Sequence, residues 1–309
     1  MELLQRYHPR DLNHLELLAS QVVEGFIVGL HKSPFHGFSV EFAEHRLYNP
    51  GESTRDIDWK VYARTDKLFS KKYEEETNLR CQVVIDTSSS MYFPEKDRPD
   101  DNNFNKLQFS ILGAAALMNL LRKQRDAYGL TLFDDHIHTA TACKSNMAHY
   151  KLMLTHLDRV YSDNTLNKST SAAKAIHEIA ESINKRSLVI IFSDMFEYSS
   201  DLKELFSALQ HLKFNKHEVI VFHVHDRKYE LDFEYGNRPY LFIDMETGEK
   251  LRLQPKEVEE LYTSKIKNYI KEIQTKCIQY KIDFIPADIN EGYRPILQSY
   301  LLKRSKMNI

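Results

Sequence analysis

The sequence predicts an α/β protein built on a mostly parallel sheet with helices on both faces. Two observations carry that reading. Short, almost wholly apolar runs at 81–85, 187–192 and 218–224 are bounded by polar turns, as strands covered on both faces are. Between them lie stretches of ten or more residues whose apolar side chains recur at helical spacing. Strands alternating with helices of that length form parallel units, because a parallel return needs a crossover.

In chain order, 11–30 reads as an amphipathic helix with Leu15, Leu18, Val22 and Phe26 on one stripe and Asp11 as its cap. From 31 to 78 the pattern is irregular, rich in charges and aromatics, with a turn signal at Pro50-Gly51; a small, partly β element is expected there. The strand 81–85 opens into Asp86-Thr87-Ser88-Ser89-Ser90, and 93–105 has loop chemistry. Residues 106–122 form a helix with Leu107, Ile111, Ala114, Ala115 and Met118 on one face. A hairpin is expected from 128–133 and 136–142 around Asp134-Asp135. A helix over 171–184 leads to the strand 187–192, which ends at Ser193-Asp194. A helix near 202–212, the strand 218–224, a hairpin over 240–253 around Thr247-Gly248, a long helix 256–280 and a strand 282–285 complete the series. The expected division is an N-terminal segment, 1–78, packed on a main domain, 79–309.

Composition narrows the function classes. The chain has 42 basic against 44 acidic side chains, which provides no electrostatic case for nucleic acid. Its three cysteines, Cys81, Cys143 and Cys277, form no CxxC pair, so free thiols are expected rather than a disulfide framework or a structural zinc site. No basic stretch followed by an apolar run opens the chain, and the apolar segment 22–30 is interrupted by Glu24 and too short to cross a bilayer. A cytoplasmic location is the resulting expectation. His136 with His138, and His223 with His225, sit at period-two spacing, but no matching third ligand for zinc is evident.

The polar residues at the strand ends carry the chemistry. Ligands of a parallel sheet bind beyond the C-terminal ends of its strands, and Asp86 and Asp194 both lie just past such ends. The spacing Asp86-x-Ser88-x-Ser90 offers one carboxylate and two hydroxyls from alternate positions of a turn. Thr170, at the start of a helix, can add a hydroxyl, and Asp194 a second carboxylate. Oxygen donors of this kind suit Mg²⁺ or Mn²⁺. Each residue alone also fits a plain role: the Asp-Ser-Ser loop as a helix cap, Thr170 as an N-cap, Asp194 as a turn residue. No GxSxG elbow and no Walker-type glycine loop occurs.

Further motifs carry a resemblance. Glu41-Phe42-Ala43-Glu44-His45-Arg46-Leu47-Tyr48-Asn49-Pro50-Gly51, then Arg55-Asp56-Ile57-Asp58-Trp59-Lys60 and Ala63-Arg64-Thr65, together with Asp86–Met91, 170–180, 186–189, Ser193–Phe196 and Asp244-x-Glu246-Thr247-Gly248, resemble the bacterial family called domain of unknown function 58. The resemblance covers most of the chain. It implies a Rossmann-like sheet of the von Willebrand factor A-like type with a metal-ion-dependent adhesion site, whose five ligand positions fall on Asp86, Ser88, Ser90, Thr170 and Asp194. It also implies an adaptor that works with a MoxR-type AAA+ ATPase in assembling or activating other complexes. The shortage of carboxylates in the set favours binding over catalysis, and the open position of such an ion suits an Asp or Glu carboxylate of a partner protein. The chain departs from the family at Gly37-Phe38-Ser39 and at Glu52-Ser53, which bear on the N-terminal segment and not on the ligands. Arg46, Arg55, Asp56, Asp58 and Arg64 form either a docking surface or an internal ion-pair network with Trp59 as packing anchor. The competing functions are a Mg²⁺-dependent nuclease or phosphohydrolase, and a scaffold with an unoccupied site.

Overall fold

A computed structural model describes residues 12–31, 45–47, 59–71, 79–95, 104–162, 172–196 and 202–307. The chain divides into two compact units, one of residues 1–26 with 79–309 and the other of residues 27–78. In the smaller unit, strands β1 (His45–Leu47) and β2 (Phe69–Lys71) pair antiparallel, and helix α2 (Trp59–Thr65) lies between them in sequence. Arg64 is exposed on α2, whereas Arg55, Asp56 and Asp58 lie outside the described residues. Helix α1 (Leu12–His31) begins in the larger unit.

The larger unit continues with β3 (Arg80–Asp86), α3 (Lys106–Lys123), β4 (Ala127–Phe133), β5 (Ile137–Ala140), α4 (Met147–Tyr161), α5 (Ala172–Ser182), β6 (Leu188–Ser193), α6 (Leu202–Phe214), β7 (Glu218–His225), β8 (Tyr240–Ile243), β9 (Lys250–Leu253), α7 (Pro255–Gln279), β10 (Asp283–Asp288) and α8 (Arg294–Met307). Six strands form one sheet in the order β10-β7-β6-β3-β4-β5. All neighbours pair parallel except β4 and β5, which form the expected hairpin. The strands β8 and β9 pair separately, around a turn in which Asp244 Oδ1 accepts from Glu246 N and Thr247 N and Gly248 takes φ +73°. Positive φ is why glycine stands there.

Strand alternation sorts the core into two layers. Cys81, Val83 and Ile85 of β3 face one way, with Leu130, Ile190 and Phe222, against α1, α3, α4 and α8. Val84, Val189, Ile191 and Val221 face the other way, against α5, α6 and α7. Burial on both faces explains why these strands read as continuous apolar runs. The helix stripe Leu15, Ala19 and Val23 is buried in the first layer, with Leu18, Val22 and Phe26 packed beside it.

Two helices were not anticipated from the sequence. α4 buries Tyr150, Met153, Leu154 and Leu157, a proper helical stripe diluted by His149, Lys151 and His156. α8 buries Ile296, Leu297 and Tyr300 among many basic residues, so its periodicity is weak. The three cysteines are free thiols, as expected. Among the described residues, no helix is long and apolar enough to cross a membrane.

One glycine is a steric requirement. Gln82 lies beside Gly129 in the β3–β4 register and sends its amide across it, donating to Thr131 Oγ1 at 2.8 Å and Thr141 O at 3.3 Å. A Cβ at position 129 would meet Gln82 Oε1 at 2.5 Å and Thr141 O at 2.6 Å. Gly129→Ala is therefore expected to cost about 1–3 kcal/mol through overpacking and displacement of the buried amide. Urea denaturation measures it; an unchanged midpoint would refute the steric account.

Candidate metal centre

The site is assembled at the C-terminal ends of β3 and β6, which are adjacent and parallel, with Ile85 opposite Phe192. Asp86 is fully buried at the end of β3. Beyond it Thr87 closes the strand end: its N–H and its Oγ1 both donate to Phe133 O, at 2.7 and 2.8 Å. The chain then turns back, because Ser88 N donates to Asp86 Oδ1 at 3.0 Å. A single turn of 3₁₀ helix, Ser89–Tyr92, follows, with Met91 and Tyr92 buried in the core. That turn brings Ser88 Oγ and Ser90 Oγ to 3.1 Å from each other. The distance is close to the edge of about 2.9 Å in an octahedron of oxygens around Mg²⁺.

Asp194 arrives from β6 and is also fully buried. Ser193 Oγ donates to Asp86 Oδ2 at 2.7 Å, which ties the two strand ends together. Met195, the next residue, takes a left-handed φ of 53°, a conformation that costs a β-carbon-bearing residue energy. It is held there from three sides. Met195 N donates to Ser193 Oγ at 2.9 Å, Phe196 N donates to Asp194 Oδ1 at 3.2 Å, and Tyr269 OH donates to Met195 O at 2.6 Å. This kink folds the chain so that Phe196 N reaches the Asp194 carboxylate. Thr170 lies outside the described residues. The structure thus brings together Asp86, Ser88, Ser90 and Asp194 of the expected set.

Two residues not anticipated from the sequence complete the centre. Lys106, the first residue of α3, has a side chain only 1% exposed and donates to Asp194 Oδ2 at 2.8 Å and to Glu230 Oε1 at 2.5 Å. Glu230 lies in a π-helical turn, Arg227–Leu231, just beyond β7, and its Oε2 accepts from Asp226 N at 2.7 Å. One sequence signal for Lys106 was available. The first turn of α3 contains no acidic residue but opens on a lysine, where the helix dipole disfavours a cation. Such a lysine must be compensated by a partner. Nothing local pointed to Glu230.

The electrostatics separate the two aspartates. Burial, then repulsion from Asp194, pushes Asp86 up to about 7 despite its hydrogen bonds from Ser88 and Ser193. Those donors are neutral, so they satisfy the oxygens without cancelling the charge. Burial alone would lower Lys106, but the charges of Asp194 and Glu230 outweigh it and raise the ammonium above its usual value. Burial, then the charge of His225, pushes His223 down to about 3, which leaves it neutral beside Asp194. The centre therefore holds two fully buried carboxylates, a third that is partly exposed and one ammonium, with Asp86 as the carboxylate whose charge no cation matches among the described residues. Its hydroxyls, its unmatched carboxylate and its position at the sheet edge fit a hard divalent ion.

The histidine pairs resolve differently. His223 and His225 are buried and stacked 5.1 Å apart on β7. His136 is exposed, and one ligand atom each from Asp134, Asp135 and His136 lies within 4.8 Å of the others, a group that does not include His138. The local turn places them together, and His136 forms an exposed ion pair with Asp135. His138 instead shares a 2.8 Å hydrogen bond with Thr87 Oγ1.

Fold and site together define a helix-covered, mostly parallel α/β protein with a buried, hydroxyl-lined carboxylate centre at its strand ends. The chain belongs to the family described as protein of unknown function DUF58, whose profile matches residues 44–268. An uncharacterized protein of Mycobacterium bovis, and two of Mycobacterium tuberculosis, are each 35% identical over 82 residues, which is 26% of this chain and 26% of each relative. The match thus spans about a quarter of the length of those curated relatives. Among solved structures, the conserved hypothetical protein BatB from Bacteroides thetaiotaomicron aligns at 14% identity with a TM-score of 0.44, covering 74% of this chain and 98% of that one. An aerotolerance-related membrane protein from Bacteroides fragilis aligns at 15% identity with a TM-score of 0.41, covering 71% and 97%.

Proposed function

We propose that the chain is a metal-ion-dependent protein-binding module of the von Willebrand factor A-like kind. In this reading Asp86, Ser88 and Ser90 hold Mg²⁺ or Mn²⁺, Thr170 adds a hydroxyl, and Asp194 completes the charge balance, directly or through water. The observation that carries the proposal is Asp86 itself. A carboxylate sealed from water, repelled by Asp194 and hydrogen-bonded to neutral donors is costly unless a cation joins it. The adjacent serine hydroxyls, 3.1 Å apart, supply the further oxygens such a cation takes.

The bound ion would supply a positive centre with a position open to an outside carboxylate. With Asp194 already matched by Lys106, that centre keeps most of its charge for an Asp or Glu of a partner protein. The family resemblance points to a MoxR-type AAA+ ATPase as that partner and to an adaptor role in assembling or activating other complexes. Two-metal nuclease chemistry fits less well, because it needs several free carboxylates around ions about 3.5–4 Å apart. The proposal is therefore of binding without turnover.

Calorimetric titration with Mg²⁺ or Mn²⁺ tests the centre. Ser88→Ala is expected to weaken binding by about tenfold through loss of one oxygen donor. Retention of an AAA+ ATPase from cell extract is expected to disappear with EDTA. No heat with either ion would sink the proposal in favour of a plain scaffold. Metal-dependent hydrolysis of nucleic acid or a phosphate ester, lost in Ser88→Ala, would replace it with the enzyme reading.

A further inference from the structure

We propose that Lys106 is a built-in countercation that sets the charge of the ion site and keeps Asp194 from gripping the ion directly, an inference that rests on the ion-binding reading above. Asp86, Asp194 and Glu230 bring three negative charges and Lys106 one positive charge into a cluster whose Lys106 and Asp194 side chains are each 1% exposed. The formal balance is −2, which a single divalent ion neutralises and a monovalent one does not.

The geometry gives the lysine a second task. Both oxygens of Asp194 are engaged, Oδ2 by Lys106 Nζ at 2.8 Å and Oδ1 by Phe196 N at 3.2 Å. Both oxygens of Asp86 are engaged as well, but by the neutral donors Ser88 N and Ser193 Oγ rather than by a cation, so Asp86 is left as the direct carboxylate. Fewer direct anionic ligands leave the ion more electrophilic toward a carboxylate from outside. Glu230 Oε1 also accepts from the ammonium, at 2.5 Å, so its charge is shared between Asp194 and Glu230. The rings of Phe93 and Phe196, with centroids 5.9 and 5.4 Å from Nζ, flank the ammonium. Lys106 is thus a positioning residue, acting through Asp194.

The test is a charge ladder read by Mn²⁺ affinity, from calorimetry and from the spectrum of free Mn²⁺, with folding of each variant checked by circular dichroism. Lys106→Met removes the positive charge while keeping an apolar stem, and Glu230→Gln removes one negative charge. The double variant Lys106→Met with Glu230→Gln restores the wild-type balance. Affinity is expected to run Lys106→Met tightest, wild type and the double variant similar, and Glu230→Gln weakest. Each step is about tenfold or more, because a divalent ion feels each nearby buried charge strongly. Should Lys106→Met fail to fold, a weakened Glu230→Gln and a double variant returned toward wild type uphold the proposal by themselves. Equal affinities throughout, or a shift of both single variants in the same direction, would overturn it, since a merely structural lysine weakens binding however it is perturbed. A wild type that takes up no Mn²⁺ while Lys106→Met does would overturn the reading of the resting protein as an ion binder yet uphold the role of Lys106. Silence from all the variants overturns both.

Discussion

Asp86→Asn is expected to lower affinity for Mg²⁺ or Mn²⁺ by at least about a hundredfold, roughly 2.7 kcal/mol, while leaving the ion-free protein as stable as wild type or more so. The reason is the same for both effects. Asp86 is the carboxylate of the centre whose charge no side-chain cation matches among the described residues, so under the proposed ion-binding reading it would be the ion's main anchor and, without the ion, a liability. The sign with pH follows. Its folded value, about 7, lies above its ordinary value of 3.8, so the folded protein binds more protons than the unfolded chain between them. Stability of the ion-free protein therefore falls as pH rises through that window, and the contribution of the protonated acid is lost by about pH 7. An ion must displace that proton. Stabilisation by Mg²⁺ should accordingly be small near pH 5, large near pH 8, and absent at both in Asp86→Asn. Thermal melts with and without Mg²⁺ across that range measure it, and a Mg²⁺ effect independent of pH would refute the assignment. Asparagine keeps the acceptor for Ser88 N, so a large loss of ion-free stability would point to a purely structural Asp86.

Lys106→Ala is expected to be among the most destabilising single truncations in the protein, at about 3–5 kcal/mol. It leaves Asp194 without its cation at a site where the carboxylate is 1% exposed, and it removes the stem that fills the space between Phe93 and Phe196. Glu230→Ala should cost less, because its side chain is 12% exposed and water can reach the gap. Urea denaturation of Lys106→Ala, Asp194→Asn and the double variant gives the coupling. The double variant should recover part of the loss, since a neutral amide in place of the Asp194 carboxylate no longer needs a buried counterion. Strict additivity would refute the ion-pair account and leave packing as the whole effect.

The legibility of this fold varied with how local its determinants are. The strands around Val83, Ile190 and Val221 are apolar throughout because both sheet faces are covered, and that pattern is visible in any short window. α8 was not visible because its three buried residues, Ile296, Leu297 and Tyr300, are outnumbered by more exposed, largely polar and basic ones. The parallel register, with Ile85 opposite Phe192, brings the strand ends that carry Asp86 and Asp194 to one sheet edge, where Ser193 Oγ donates to Asp86. Ser88 and Ser90 converge because a local turn closes on Asp86.

What the sequence alone determined, then, is the α/β alternation, the sheet edge and the aspartate and serine donors offered there, all consequences of spacing within a few residues. What only the tertiary structure decided is the charge of that edge. Lys106 meets Asp194 across 88 residues and Glu230 across 124. No periodicity carries such a pairing, because opposite charges that distant in the chain meet only when the sheet has closed and water has been expelled. That closure leaves Asp86 as the carboxylate of the centre that no cation matches among the described residues.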